Sequence, residues 1–213
     1  MKTDYTDITL VLDRSGSMEA VRSDTIGGFN AFLKDQQNAG VGTATITLVQ
    51  FDDIYEPVYR AIALTDAPPL TTKTFVPRGS TALLDAVGQA ITETGARLAA
   101  LPEAERPDKV IFVILTDGQE NASHKCTMPQ ISDMIRHQRD TYNWEFVFLG
   151  ANQDAIATAA QIGVNAEAAL TYAHDGKGVL DAMETVSENV RAMRSKAQPG
   201  FAIKDSDRAK QRR

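Results

Sequence analysis

Short, nearly continuous apolar segments recur along the chain, and each of them is followed by polar residues. Ile8 to Leu12 ends at Asp13, and Val110 to Leu115 and Phe146 to Leu149 repeat the pattern. Runs of this kind are typical of strands that are buried on both faces of a parallel sheet. A weaker segment near Ala168 to Tyr172 predicts a further strand.

A different strand pattern lies between the first two long helical segments. Thr43 to Phe51 is rich in β-branched residues with apolar side chains at alternate positions, and Ile54 to Leu64 follows it closely. The two segments predict a β-hairpin. Because Asp is frequent in tight turns, we assign Asp52 and Asp53 to the turn of this hairpin.

Between the strands, apolar residues recur at helical spacing. The predicted helices span Ser17 to about Gln37, Thr81 to about Leu98, Thr127 to about Gln138, Asp154 to Ile162, and about Lys177 to Lys196. Thr127 begins a capping box, and Asn152 and Asp154 are assigned to a helix cap. The stripe from Leu180 to Met193 is assigned to core packing.

Strands that alternate with helices predict an α/β fold of the doubly wound, Rossmann-like kind. We expect a central, mostly parallel six-stranded sheet with one antiparallel edge strand and helices on both faces. In such sheets, ligands bind beyond the carboxyl ends of the strands, at the point where the strand order reverses. Polar residues that directly follow strands are therefore the main candidates for a functional site.

The composition indicates one globular domain. The chain has 213 residues, of which 43% are hydrophobic, and we expect a single domain over residues 1–198. Residues 199–213 carry five basic and two acidic side chains, and we predict that this basic tail is disordered. The formal net charge of -6 leaves no general phosphate-binding surface, so nucleic acid is not an expected partner.

The same sequence features predict a cytoplasmic location. No apolar run approaches the ~20 residues of a membrane-spanning helix. The N-terminus is acidic where a signal peptide needs a basic start. The single cysteine, Cys126, is predicted to be a free thiol, in agreement with a reducing compartment.

Oxygen-bearing side chains follow two of the predicted strands. Asp13, Ser15 and Ser17 come after the first strand, and Asp117 comes after the most hydrophobic one. Thr81, where a loop meets the start of a predicted helix, is the hydroxyl best placed to join them. A set of carboxylates and hydroxyls without His or Cys suits a hard cation such as Mg²⁺. The ion would also relieve the repulsion between the two carboxylates.

In this pattern the sequence resembles the von Willebrand factor type A (vWA) domain. That family carries a metal-ion-dependent adhesion site, or MIDAS, built on D-x-S-x-S, a distant Thr and a distant Asp. The matching residues are Asp13, Ser15, Ser17, Thr81 and Asp117. The resemblance covers nearly the whole chain, and Thr116 to Asn121 and Phe146 to Gln153 are similar to small, stand-alone bacterial or phage vWA proteins of the cytosol.

The resemblance implies a binding mechanism. Ser15, Ser17 and Thr81 would bind Mg²⁺ directly, with Mn²⁺ or Ca²⁺ as alternatives, while Asp13 and Asp117 would bind it directly or through water. The remaining coordination position would accept an Asp or Glu carboxylate of a partner protein. Family analogy suggests AAA+ ATPases, stress-response assemblies or phage components as partners, although a shared fold does not identify a partner.

Four neighbours of these residues are assigned to the support of the ligands or to the partner surface. They are Arg14, Gly118, Glu120 and Asn121. We expect Arg14 to face solvent, where it could contact an acidic partner. Glu120 and Asn121 either hold a metal-bound water, line the partner surface, or are ordinary solvated loop residues.

A zinc site and an enzyme are the alternatives to this interpretation. His124, Cys126 and His137 lack the paired spacing of zinc ligands, so no zinc is assigned to them. A Mg²⁺-dependent phosphohydrolase could use Asp13 as its nucleophile, but Ser15 stands where such enzymes usually carry a second carboxylate. A structural subunit with a metal site that plays no part in recognition is the third alternative. We therefore predict a non-enzymatic binding module.

Overall fold

A computed structural model of the protein describes residues 1–151 and 154–212. These residues form one six-stranded sheet with the order β3-β2-β1-β4-β5-β6. The strands are β1 (Lys2–Asp13), β2 (Thr43–Phe51), β3 (Tyr55–Ala63), β4 (Pro107–Thr116), β5 (Glu145–Ala151) and β6 (Ala169–Tyr172). The α-helices are α1 (Arg22–Asn38), α2 (Leu83–Ala99), α3 (Met128–Tyr142), α4 (Ala155–Gln161), α5 (Gly176–Arg194) and α6 (Asp205–Lys210).

The predicted fold class is confirmed. β1 pairs in parallel with β2 on one side and with β4 on the other, and β5 and β6 continue the parallel sheet. β2 and β3 form the predicted hairpin, which makes β3 the antiparallel edge strand. Because the chain runs outward in both directions from the β1–β4 pair, the strand order reverses there and creates a crevice at the carboxyl ends of these two strands.

The apolar strands form the centre of the core, as their sequence predicts. Ile8, Val11, Ile111 and Ile114 are all completely buried, because helices cover both faces of the sheet. α1 packs against α5, and α2 packs against α3. The polar ends of β1 and β4 are thereby held at fixed positions above a rigid core.

Two helices begin at the capping residues that the sequence predicts. Thr127 forms the capping box of α3 with Gln130, and Asp154 caps α4 by accepting a hydrogen bond from the Ala157 backbone N–H at 3.0 Å. Asn152, to which a capping role was also assigned, lies outside the described residues. The first predicted helix is divided, since a 3-10 helix at Gly16–Val21 precedes α1.

The longest helix, α5, differs from prediction at one position of its stripe. Val186 and Val190 are completely buried, as expected, but Leu180 is 41% exposed. Leu180 reaches toward Gly27 and Gly28 of α1, and the absence of side chains at these glycines leaves its outer side open to solvent. No helix among the described residues has the length and apolar character needed to span a bilayer.

The prediction of a disordered basic tail is wrong for the described residues of the C-terminal segment. Phe201 and Ile203 are buried, and α6 follows them. The Arg208 guanidinium donates hydrogen bonds to the carbonyls of Ala169 at 2.7 Å and Ala166 at 2.8 Å. Composition suggested disorder because the segment is charged, but one of its basic side chains binds carbonyl groups at β6, the edge of the sheet.

Candidate metal centre

The crevice between β1 and β4 brings together residues that are 100 positions apart in the chain. The Ser15 and Ser17 hydroxyl oxygens lie 3.1 Å apart, and Ser17 Oγ donates a hydrogen bond to Asp117 Oδ1 at 2.7 Å. Ser15 is buried, whereas Ser17 is exposed. The cluster therefore opens to the surface at Ser17.

Thr81 reaches the same cluster from the loop ahead of α2. A Cβ atom placed on Gly118 would lie 3.0 Å from Thr81 Oγ1 and 3.8 Å from Ser17 Oγ. Both hydroxyl groups therefore border Gly118, and a side chain at that position would crowd them. Gly118 thus keeps the space between the two loops open.

Asp13 lies beneath the cluster and is completely buried. Its Oδ1 accepts a hydrogen bond from the Ser15 backbone N–H at 2.7 Å, and its Oδ2 accepts one from Thr116 Oγ1 at 2.6 Å. Burial disfavours the charged form and raises the pKa of Asp13 to about 6, although these hydrogen bonds act in the opposite direction. Asp13 thus fixes the loop that carries the serines.

His174 belongs to the site and is absent from the sequence prediction. Its Nε2 lies 2.8 Å from Asp117 Oδ2, and the Asp117 side chain is completely buried. His174 follows β6, so the rule that ligands lie beyond strand ends could have suggested it. However, β6 is at the far edge of the sheet, and only the path of the loop between β6 and α5 returns this residue to the crevice.

Tyr172, at the end of β6, supports the crevice from within. Its hydroxyl donates a hydrogen bond to the Thr116 carbonyl at 3.2 Å. The pKa of Tyr172 is raised well above its ordinary value, mainly by burial and further by the charges of Asp117 and Asp13. The phenol therefore stays protonated and acts as a fixed donor beside the two carboxylates.

Asn121 and Glu120 hold the loop that follows β4 against Thr81 and the start of α2. Asn121 Oδ1 accepts a hydrogen bond from the Thr81 backbone N–H at 2.9 Å, which positions Thr81. Glu120 accepts hydrogen bonds from the Leu84 N–H at 2.9 Å and the Ser123 N–H at 2.7 Å. Because both carboxylate oxygens of Glu120 are engaged with backbone donors, its role is to join this loop to the start of α2.

The prediction that Arg14 faces solvent is wrong. The Arg14 side chain is only 5% exposed, and its guanidinium binds Asp52 Oδ2 at 3.0 Å and Glu56 Oε2 at 2.8 Å. The β2–β3 hairpin supplies these carboxylates and draws the side chain inward. Asp52 does accept the turn hydrogen bond from the Ile54 N–H at 2.6 Å, but it is also a buried ion-pair partner.

Backbone contacts join the loop of the serines to the loop of Thr81. The Arg78 N–H donates to the Arg14 carbonyl at 2.8 Å, and the Gly16 N–H donates to the Gly79 carbonyl at 3.1 Å. Gly79 has a φ of +67° and packs directly on Asp53, so only glycine fits there without strain. These contacts fix the relative positions of Ser15, Ser17 and Thr81.

The residues considered for zinc are not assembled. The backbone N–H groups of His124 and Cys126 both bind Asp85, whereas the His137 ring packs on Tyr142 with 5.6 Å between ring centroids. In residues 1–151 and 154–212, no group of three or more His, Cys, Asp or Glu side chains could hold a metal ion. A metal centre in this part of the chain would therefore combine at most two of these side chains with other donors, such as hydroxyl oxygens.

The oxygen cluster at the crevice meets the requirements of such an ion. Neighbouring ligands of an octahedral Mg²⁺ lie about 3 Å apart when each metal–oxygen distance is ~2.1 Å. The pairs Ser15–Ser17 and Ser17–Asp117 are separated by 3.1 and 2.7 Å. Carboxylate and hydroxyl oxygens are also the donor types that Mg²⁺ prefers. These residues therefore fit a hard divalent cation.

Solved structures of several proteins share this fold. Proximal thread matrix protein 1 from the mussel byssus is 20% identical with a TM-score of 0.58, and the match covers 88% of this chain and 46% of that chain. A second structure of that mussel protein has zinc in its MIDAS motif. The pilus adhesin SpaC from Lactobacillus rhamnosus GG is 17% identical with a TM-score of 0.65, covering 90% of this chain and 30% of that one.

These structural matches show the fold alone, because the identities are low and this chain spans less than half the length of either protein. A search of curated proteins finds no match. The family comparison is more direct, since the model of the von Willebrand factor type A domain matches residues 7–186. The match includes β4, the second half of β1 and the loops that carry the oxygen cluster. The chain therefore belongs to the von Willebrand factor type A domain family.

Proposed function

We propose that this chain is a protein-binding module that depends on a divalent cation. Ser15, Ser17, Thr81 and Asp117 would hold the ion, and the buried Asp13 beneath them would act through water or through its charge. The observation that carries the proposal is the continuous series of contacts from Ser15 through Ser17 to Asp117 at the point where the strand order reverses. Crevices of this kind are the usual ligand sites of doubly wound sheets.

The electrostatics of the cluster support a cation. Within the described residues, neither Asp13 nor Asp117 forms an ion pair with Lys or Arg, and Asp117 lies beside the imidazole of His174. Two carboxylates close together repel each other, and a divalent ion removes this repulsion. When bound, Mg²⁺, or in its place Mn²⁺ or Ca²⁺, would attract an anionic oxygen, such as the Asp or Glu carboxylate of a partner protein.

The surroundings of the cluster suit a protein partner. The exposed position of Ser17 makes the cluster accessible from outside. A groove of about 390 Å³ lies beside it, with Gly118, Gln119 and Asp154 among its lining residues.

The phosphohydrolase alternative receives no support from Asp13. A nucleophilic carboxylate must present an oxygen to its substrate, but Asp13 is completely buried. Both of its oxygens accept hydrogen bonds, from Ser15 and Thr116. Asp13 is therefore built to support the loop, and we propose a non-enzymatic role.

The test combines metal titration with affinity capture. We expect Asp117→Ala to abolish Mg²⁺ binding in calorimetric titration while circular dichroism stays that of the parent protein. Proteins captured from a host lysate should be retained in millimolar Mg²⁺ and lost both in EDTA and with the variant. The matched control is Asp133→Ala, which removes an exposed carboxylate on α3. Unchanged Mg²⁺ affinity in Asp117→Ala would refute the proposal.

A further inference from the structure

His174 contacts the buried carboxylate of the proposed centre directly. Its Nε2 lies 2.8 Å from Asp117 Oδ2, and its side chain is 21% exposed. The other oxygen of this carboxylate, Oδ1, accepts the hydrogen bond from Ser17. The Asp117 carboxylate thus lies between a hydroxyl group and an imidazole, and the site contains a nitrogen as well as oxygens.

The environment of Asp117 Oδ2 indicates what this contact does. That atom is fully buried and accepts no hydrogen bond from the described residues, so the approach of His174 Nε2 lacks hydrogen-bond alignment. Two ligands at right angles on one ion lie about 3 Å apart when each is ~2.1 Å from it. The 2.8 Å separation agrees with this spacing, as do the separations among the oxygens.

The backbone holds His174 at this position. The Asp175 N–H donates to the Ala173 carbonyl at 2.7 Å, and the Asp175 side chain caps α5 by accepting from the Gly178 N–H at 2.7 Å. Gly176 packs against the Asp24 carboxylate, where a Cβ atom would come within 2.6 Å of Asp24 Cγ. The residues on both sides of His174 are therefore fixed to α1 and α5.

We infer that His174 is a nitrogen ligand of the proposed metal centre and that it widens the metal preference of the site. The inference rests on the proposed function. Carboxylates and hydroxyls alone favour Mg²⁺ and Ca²⁺, whereas imidazole favours ions such as Zn²⁺ and Co²⁺. The site of this chain therefore binds Zn²⁺ and Co²⁺ more tightly than the same oxygen ligands would without His174.

The experiment compares two ions in matched variants. Co²⁺ and Mg²⁺ affinities are measured by calorimetry for the parent chain, His174→Ala, His174→Gln and His124→Ala, and the visible spectrum of bound Co²⁺ is recorded. His124 is exposed and lies outside the site, so it controls for loss of a surface imidazole. Circular dichroism and thermal melting of each variant without metal establish that it folds.

The expected result is a loss of Co²⁺ affinity by about tenfold or more in both His174 variants, with a changed Co²⁺ spectrum and unchanged Mg²⁺ affinity. His124→Ala should match the parent chain. Equal losses for both ions would overturn the inference, because His174 would then act only by orienting Asp117, and unchanged Co²⁺ affinity would overturn it as well. If the parent chain binds neither ion, or if Asp117→Ala binds both normally, the proposed function itself fails.

Discussion

Two groups of buried carboxylates lie at the carboxyl ends of neighbouring strands, and their charges are balanced differently. Asp52, just after β2, is completely buried and is ion-paired with Arg14 at 3.0 Å and Arg78 at 2.9 Å. Asp13, at the end of β1, is equally buried, and among the described residues its hydrogen-bond donors are the neutral groups of Ser15 and Thr116. The chain supplies cations for the first group and neutral donors for the second.

This difference separates a structural cluster from a binding site. A buried carboxylate that is paired with guanidinium groups has no need of an external ion. A buried carboxylate with neutral donors keeps an electrostatic cost that a bound cation can relieve. Both clusters contain acids after strands, so the presence of carboxylates alone does not mark the functional site. What distinguishes the two clusters is whether an arginine side chain lies beside the buried carboxylate.

The largest effect should come from removing the cation of the structural cluster. Arg14→Met leaves the buried Asp52 with the half-exposed Arg78 as its remaining ion-pair partner. We expect the free energy of unfolding to fall by about 3 to 4 kcal/mol, the lower part of the range for breaking a buried ion pair. Urea denaturation in EDTA measures this change. Arg78→Ala is the matched control, because the Arg78 side chain is 51% exposed and its removal should cost clearly less. Equal effects of the two variants would contradict the proposed importance of Arg14.

The second-largest effect is the change of folding stability with pH that the buried Asp13 carboxylate causes. Burial raises the pKa of Asp13 from 3.8 to about 6, so the folded protein binds a proton more tightly than the unfolded chain does. The stability that this proton contributes is fully present below pH 3.8 and is lost as the pH rises through about 6. The pKa difference corresponds to about 3 kcal/mol.

Asp13→Asn should remove this component of the pH dependence. In EDTA, the variant should therefore gain stability relative to the parent chain as the pH rises from 4 to 7, measured by urea denaturation at each pH. Asp133→Asn serves as the control, because the exposed side chain of Asp133 should leave the profile unchanged. Parallel profiles for Asp13→Asn and the parent chain would show that the Asp13 carboxyl is not destabilised by burial.

The smallest effect should come from one neutral donor. Thr116→Val removes the 2.6 Å hydrogen bond to Asp13 Oδ2, and we expect a loss of about 1.5 to 2 kcal/mol at pH 7, the lower part of the range for a hydrogen bond to a charged group. Equilibrium denaturation of the metal-free protein measures it. Thr141→Val, at an exposed position on α3, provides the comparison. A loss as large as that of Arg14→Met would remove the distinction between the two clusters.

The parts of the fold that rest on local patterns were predictable. The central strands are recognisable in the sequence as apolar runs, and the capping box of Thr127 defines the start of α3. The approach of Ser15, Ser17 and Asp117 also follows from sequence, because residues after adjacent parallel strands share one edge of the sheet. Arg14 was misassigned since its partners, Asp52 and Glu56, come from the hairpin, and the register that brings them close is a tertiary property.

Two further features had no local signal. The composition of the segment around Phe201 predicts disorder. Phe201 and Ile203 are nevertheless buried, because the segment packs beside β6. His174 stands on a loop whose own strand is at the far edge of the sheet. Charge and spacing along the chain carry no information about where such a loop returns.

The sequence by itself determined the order of strands and helices along the chain, the fold class, and the candidate oxygen donors that follow the strands. These follow from hydrophobic periodicity and from the geometry of parallel sheets, which act over short distances in the chain. Only the tertiary structure decided which carboxylates receive an arginine, where the C-terminal segment packs, and which histidine meets Asp117. Those outcomes depend on contacts between distant segments, and the packing of the whole core sets them.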